Sequence, residues 1–289
     1  MVASNAGRQA VLILDMDGRQ IGELKGGEFP HLKRAEVDEA IGPTVGRVKH
    51  YSSVTIDPAR LVFGMMASNE LLGWLRETVA KKVMRRNLVL TSIDMLRKTA
   101  YESEMFNCLI REISLPAVDV KSKDDATITV TVQPEYIKDR KLPAVKTAPL
   151  VKPSNPWKAS DFTFEIDGLD GMSKAVKSVS ALTIRQGIKA HFAGSSSAPS
   201  YEPTKLEGAH ISFTLPKDAS DGLYKWNEQQ MGQATRASPG RTGRLEYLSP
   251  KRQTYFAIEF MGLGIVAVKP AQDTVTCQLF YDTLSIAGL

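Results

Sequence analysis

The sequence predicts a mainly β protein of the α+β type, built as two tandem antiparallel β domains of barrel or sandwich form with one α-helix each. Three observations predict it. Short segments in both halves alternate apolar and polar residues with period two, the mark of half-buried strands. Each half offers one stretch with helical spacing of apolar residues, and each such stretch holds one Trp. Matching residue pairs also recur along the chain in the same order and at nearly constant spacing.

The first half opens with the apolar run Val11-Leu12-Ile13-Leu14, and Asp17-Gly18 supplies a turn. A strand is expected over Ser53 to Ile56. A helix follows, with Ser68 as its N-cap and Leu71, Leu72, Leu75 and Val79 as its buried stripe. Trp74 on that helix is a core anchor, because a large ring buries much area against a sheet. Three strands come next: Asn87 to Ile93, Met105 to Ile113 and Thr127 to Val132.

The second half repeats this order. It opens with Phe162-Thr163-Phe164-Glu165-Ile166, then Asp167-Gly168, and the alternating Ile211 to Leu215 is the next strand. Asp218 or Ser220 caps a shorter helix carrying Leu223 and Trp226. The remaining strands are Arg244 to Leu248, Thr254 to Met261 and Thr274 to Ile286. Asp17-Gly18 and Asp167-Gly168 stand 150 positions apart, as do Phe106 and Phe256, and Ala117 and Ala267. One hairpin turn is expected at Asp-Gly in both halves. Between the halves, Pro143, Pro149, Pro153 and Pro156 lie among Lys138, Arg140, Lys141, Lys146 and Lys152. Prolines stiffen a chain and withhold ladder hydrogen bonds. The expected organisation is therefore a first domain over 1–140, a linker over 141–156 and a second domain over 157–289.

Composition sets the function classes. A chain of 289 residues with 43% hydrophobic and 24% charged residues is ordinary for a globular protein and long enough for two cores. No run of about 18 apolar residues occurs, so no transmembrane helix and no membrane insertion are expected. Residues Met1 to Ala10 do not read as a signal peptide, which points to assembly in a cytoplasm. Cys108 and Cys277 read as small buried side chains, and the four His are scattered without metal-ligand spacing. The net charge of +5 permits nucleic-acid contact without demanding it. The basic run Lys81-Lys82-Val83-Met84-Arg85-Arg86 reads as a solvated helix end.

One motif points to an enzyme. An apolar strand ending in Asp15-Met16-Asp17-Gly18 resembles the first motif of haloacid-dehalogenase-type phosphatases, in which the first Asp is the nucleophile and both carboxylates hold magnesium. The rest of the chain disagrees. Arg19 follows the Gly, Asp124-Asp125 lies in a hydrophilic turn, and each half lacks alternating βα units. There is no GxSxG elbow and no P-loop. A nucleic-acid module would interleave aromatics with Lys and Arg, whereas these strands carry mostly Thr, Val, Leu and Ile. The expectation is no catalytic residues, no cofactor and no metal.

The order of elements carries a resemblance. In the first half it runs from the strand before the helix through Asn69-Glu70-Leu71-Leu72-Gly73-Trp74-Leu75, Met84-Arg85-Arg86-Asn87-Leu88-Val89-Leu90, Phe106-Asn107 and Leu115-Pro116-Ala117-Val118-Asp119. The second half keeps the order, and Phe162 to Leu169 followed by Val179-Ser180-Ala181-Leu182 looks like the family's N-terminal hairpin. The chain resembles the tail tube proteins of contractile phages and related injection systems over nearly its whole length. It departs from them in holding two domains.

The resemblance implies a structural protein of a virion tail, or of a phage-like particle, that forms six-fold rings or pseudo-six-fold rings of three chains. Stacked rings make a conduit for DNA or effector cargo, with the sheath and baseplate proteins as further partners. The alternative within the same assembly is a hub or tube initiator that joins tube to spike. Two long segments, Glu36 to Tyr51 and Gly187 to Pro203, are expected to be inter-subunit or inter-ring loops. Within them the candidate contact residues are Ile41, Gly42, Pro43, Thr44, Val45 and Gly46, and then Ser195, Pro199, Tyr201 and Pro203.

Overall fold

A computed structural model describes residues 10–40, 47–64, 68–94, 99–143, 158–192, 199–231 and 240–287. The protein is mostly β, with antiparallel sheets, one of them nearly closed and barrel-like, and three α-helices among the described residues.

The first half comprises β1 (Val11–Met16), β2 (Arg19–Leu24), β3 (Gly26–Glu28), β4 (Leu32–Ala40), β5 (Arg47–Ile56) and β6 (Ala59–Gly64), then α1 (Asn69–Val79). After the helix come β7 (Arg86–Ile93), β8 (Thr99–Leu115), β9 (Val118–Asp119), β10 (Thr127–Gln133) and β11 (Tyr136–Pro143). The second half comprises β12 (Phe162–Ile166), α2 (Asp170–Ser173), β13 (Ser178–Val179), β14 (Leu182–His191), β15 (Ser200–Gly208) and β16 (Ile211–Pro216). It closes with α3 (Asp221–Met231), β17 (Arg241–Leu248), β18 (Thr254–Pro270), β19 (Thr274–Phe280) and β20 (Thr283–Ala287).

The two halves share one strand order. In the first, the sheet runs β1-β7-β8-β10-β6-β3. In the second it runs β12-β17-β18-β19-β16-β13. A further strand pairs with the long one in each case, β11 with β8 and β20 with β18. The long strands β8 and β18 both span 17 residues, and β10 and β19 both span 7. Even the bulges coincide, since the pairing of β10 with β8 slips after Thr131 and that of β19 with β18 slips at Ile265/Ala267.

Local chemistry explains the elements. Asp17 and Gly18 have φ of 50° and 80°, and the two-residue hairpin between β1 and β2 needs positive φ at both positions. Asp17 also accepts from Asn87 N–H at 2.9 Å and from the Arg86 guanidinium at 3.0 Å. Ser68 Oγ accepts from Leu71 N–H at 3.2 Å, the side-chain cap that the sequence predicts. Trp74 is buried, and its Nε1–H donates to Met84 O at 3.0 Å, tying α1 to the segment that leads into β7.

Five features differ from expectation. Asp167-Gly168 does not make a hairpin. The chain turns there into α2, where Ser173 Oγ accepts from Ile166 N–H and donates to Leu169 O. Ser220 stands at the start of α3, where its carbonyl accepts from Leu223 and Tyr224 N–H, while its hydroxyl donates back to Lys217 O at 2.6 Å, the reverse of the accepting role expected of a cap. Thr274 to Ile286 is two strands, β19 and β20, parted by Tyr281 and Asp282. The Pro- and Lys-rich segment begins inside a strand, because β11 pairs with β8 as far as Pro143. Finally, the main buried cluster is continuous from Leu14 to Ile286 and draws on both halves, where two separate cores were expected.

Candidate functional site

The features that set this chain apart are two hairpin arms and the sheet edges they meet. Over their described residues, both of the segments expected as loops are paired strands. β4 pairs with β5 from Leu32↔Ile56 to Ala40↔Arg47, and β14 pairs with β15 from Ile184↔Gly208 to His191↔Ser200. The pairing is made by backbone hydrogen bonds, and apolar residues such as Val37 and Ile188 are too sparse in these segments to give a clear alternation. Of the candidate contact residues, Ile41 to Gly46 and Ser195 lie outside the described residues. Pro199 precedes β15, and Tyr201 and Pro203 lie within it.

The second arm is built into the molecule. Its β14 adds to the C-terminal stretch of β8 in the first half, with Leu182↔Leu115, Thr183↔Ser114, Ile184↔Ile113 and Arg185↔Glu112. Leu182, Ile184 and their partners Leu115 and Ile113 are fully buried. At the rim, Arg185 Nε donates to Glu112 at 2.8 Å. Farther out, Tyr201 N–H donates to Glu135 Oε1 at 3.0 Å, and Arg85 Nη2 donates to Tyr201 O at 2.6 Å. Burial raises the pKa of the Tyr201 phenol, with its ring packed against the first half. So Tyr201 is a contact residue between the two halves of one chain. The basic run after α1 is correspondingly more than a solvated helix end, because Arg85 holds the arm and Arg86 holds Asp17.

Beyond its base at Ile56, which is buried in the core, the first arm pairs with no other strand among the described residues. β4 and β5 form a two-stranded sheet of their own. Leu32, Val37, Val48 and Tyr51 are exposed, Tyr51 at 74%. Ion pairs stiffen it, Lys49 with Glu36 and Lys33 with Asp57 at 2.6 Å, and Arg34 lies 5.6 Å over the Tyr51 ring.

The second half also carries an open edge. Along β8, Ile113 has Val130 of β10 on one flank and Ile184 of β14 on the other. Val268 holds the same place in β18 and has Cys277 of β19 on one flank. Among the described residues no strand pairs with its other flank. Val266 on this stretch is exposed, and Pro270 is exposed where its counterpart Leu115 is buried.

The Asp15/Asp17 motif has a structural use. Asp17 stands in the β1–β2 turn, and its carboxylate accepts from Arg86 and from Asn87 N–H, pinning that turn to β7. Asp15, one strand position from the turn, has its carboxyl pKa raised, first by burial and then by the charge of Glu102. Among the described residues no three His, Cys, Asp or Glu side chains gather in a geometry that could hold a metal ion. No helix among them is long and apolar enough to cross a membrane.

A scan against protein-family models finds no match, and a search of curated proteins finds none. Among solved structures, the chain is similar to one in the six-fold symmetrised cryo-EM structure of the anti-feeding prophage baseplate, at 14% identity and a TM-score of 0.39, covering 50% of this chain and 99% of that one.

Proposed function

We propose that this chain is a structural protein of a contractile tail or a phage-like injection system, made of two tail-tube-like domains with a linker near 141–156. In this reading it assembles with copies of itself into stacked six-fold or pseudo-six-fold rings that form a conduit for DNA or effectors. The observation that carries the reading is the free arm. An isolated two-stranded hairpin is marginal in water, and exposed apolar residues on it need cover. The β4–β5 arm has Leu32, Val37, Val48 and Tyr51 exposed, while the β14–β15 arm has the same kind of strand buried against a sheet. A single chain is thus an unfinished unit, and more copies finish it. The tail-tube-like order of elements, present in both halves, supports the class of assembly.

The hub or tube-initiator reading is favoured by a specific observation. One arm-to-sheet junction lies inside the chain, so three chains supply six similar units. That count suits a subunit that matches a six-fold tube to a three-fold spike.

Light scattering across a concentration series, with cryo-electron microscopy of the same samples, tests both. Rings or tubes are the expected result; three or six chains per ring separates the pseudo-six-fold from the six-fold form, and single rings against stacked tubes separates hub from tube. A chain that stays monomeric at every concentration and salt overturns the self-assembly reading.

A further inference from the structure

The internal repeat specifies where the free arm goes. The arm bases of the two halves correspond by their hydrogen bonds: Asp57 N–H donates to His31 O at 2.8 Å, and Ala209 N–H donates to Thr183 O at 3.0 Å. The arm bulges agree, falling after Arg34 in β4 and after Gln186 in β14. His31 therefore corresponds to Thr183, Leu32 to Ile184 and Lys33 to Arg185. Leu32 is 44% exposed, whereas Ile184 is 1% exposed. On the receiving side, Glu112, Ile113 and Ser114 correspond to Ala267, Val268 and Lys269, by equal place in strands of equal length and by equal pairing with β10 and β19.

A second, separate observation concerns the helices. α1 of the first half packs against β20 of the second. Both helices span 11 residues with Trp74 and Trp226 at the same place. Leu72 and Val79 of α1 are buried, but the residues in their places on α3, Tyr224 and Met231, are exposed, Met231 at 73%. The face that is covered on the first helix is bare on the second. β11, the counterpart of β20, has Tyr136 exposed.

We propose that β4 of one copy adds to the open flank of β18 in a second copy, antiparallel, with Leu32 opposite Val268, His31 opposite Lys269 and Lys33 opposite Ala267, and that α3 of the second copy rests on β11 of the first. The proposal rests on the self-assembly reading above and adds the edge, the direction and the register. The contact joins different surfaces of the two copies, head to tail, so repetition closes a ring where the rotation permits. Strand addition pairs backbone groups along an edge that otherwise invites indiscriminate pairing. The junction between copies lacks the ion pair of the internal one, since Ala267 stands where Glu112 pairs with Arg185, and Lys269 stands where Ser114 does. Leu32 against Val268 is its centre.

The test is cysteine cross-linking in full-length protein. Directly opposed residues of neighbouring antiparallel strands come within disulfide reach. Cys108 and Cys277 are buried and do not compete. L32C protein is mixed with V268C protein under mild oxidation and read on a non-reducing gel, with light scattering and thermal unfolding of each variant alongside. A linked dimer is expected, about tenfold above L32C alone, V268C alone, or L32C mixed with K269C, whose side chain points to the other face. Leu32→Glu is expected to weaken association by about tenfold or more, because the junction buries its charge.

Assemblies that persist by scattering with no link between L32C and V268C, and with L32E associating like the wild type, overturn this junction and leave the self-assembly reading intact. A strong link from L32C alone overturns it too, because the arms then pair with each other. A wild-type chain that never associates removes the self-assembly reading, and this junction with it.

Discussion

Trp74 shows how a single residue sets the position of an element. It is 1% exposed, its indole N–H is satisfied by Met84 O, and the carbonyl of Trp74 itself accepts from Thr78 Oγ1 at 2.9 Å. Trp74→Ala is expected to cost about 3–5 kcal/mol in urea unfolding, from lost burial and the cavity left behind. A loss under about 1 kcal/mol would show that α1 is not held through this ring.

Asp15 gives a prediction of the opposite sign. Its carboxyl pKa is raised by burial and by Glu102, so the folded chain binds that proton more tightly than the unfolded chain. The stability linked to it is fully present below the ordinary carboxylate pKa and is lost as pH rises through the raised value. Asp15→Asn is therefore expected to keep or raise the melting temperature at neutral pH and to flatten its dependence on pH in the acidic range. A lower melting temperature at neutral pH would count against this account. The same variant tests the phosphatase motif, since a structural Asp15 leaves assembly unchanged when it is replaced.

At the scale of elements, the second arm is a strand pair held by a few contacts at its root and one clamp farther out. Glu135 and Arg85 hold the backbone of Tyr201 from both sides. Glu135→Ala is expected to leave the β14–β8 pairing intact and to speed amide exchange around Tyr201, read by hydrogen exchange. Unchanged exchange there would make the clamp incidental. The β18–β19 ladder depends instead on a close approach. Gly264 pairs with Phe280, and a Cβ at 264 would fall inside the Phe280 ring. Gly264→Val is expected to destabilise by about 1–3 kcal/mol through overpacking, measured by thermal unfolding.

The whole molecule behaves as one cooperative body if its core is as continuous as the buried cluster implies. Cys108 and Cys277 lie in different halves, and burial raises both thiol pKa values, that of Cys277 to about 12. Neither thiol is expected to react with a thiol reagent in native protein, and both are expected to become reactive in a single step along a urea series. Separate steps would show that the halves unfold independently, with the shared contacts at β14–β8 too weak to couple them.

The sequence by itself determined the strands with strong alternation, the capped helix at Ser68 and the recurrence of one element order in both halves. These are local signals: period-two patterning and a Ser before an apolar stripe. Of the like residues at spacing 150, Asp17 and Asp167 correspond in the fold, whereas Ala267 corresponds to Glu112 and not to Ala117, and Phe106 to Met261 and not to Phe256. The strands that flank the arm tips are not legible in the sequence, because charged residues interrupt the alternation, as Lys33-Arg34 and Asp38-Glu39 do in β4 and Glu202 and Lys205 in β15. Only the tertiary structure decided that the β14–β15 arm crosses to β8 while the β4–β5 arm stands apart. Strand addition is made by backbone hydrogen bonds along an edge, and every residue but proline supplies the same donor and acceptor. Side-chain pattern therefore says little about which edge a strand will join, and the choice rests on how the two halves pack around their common core.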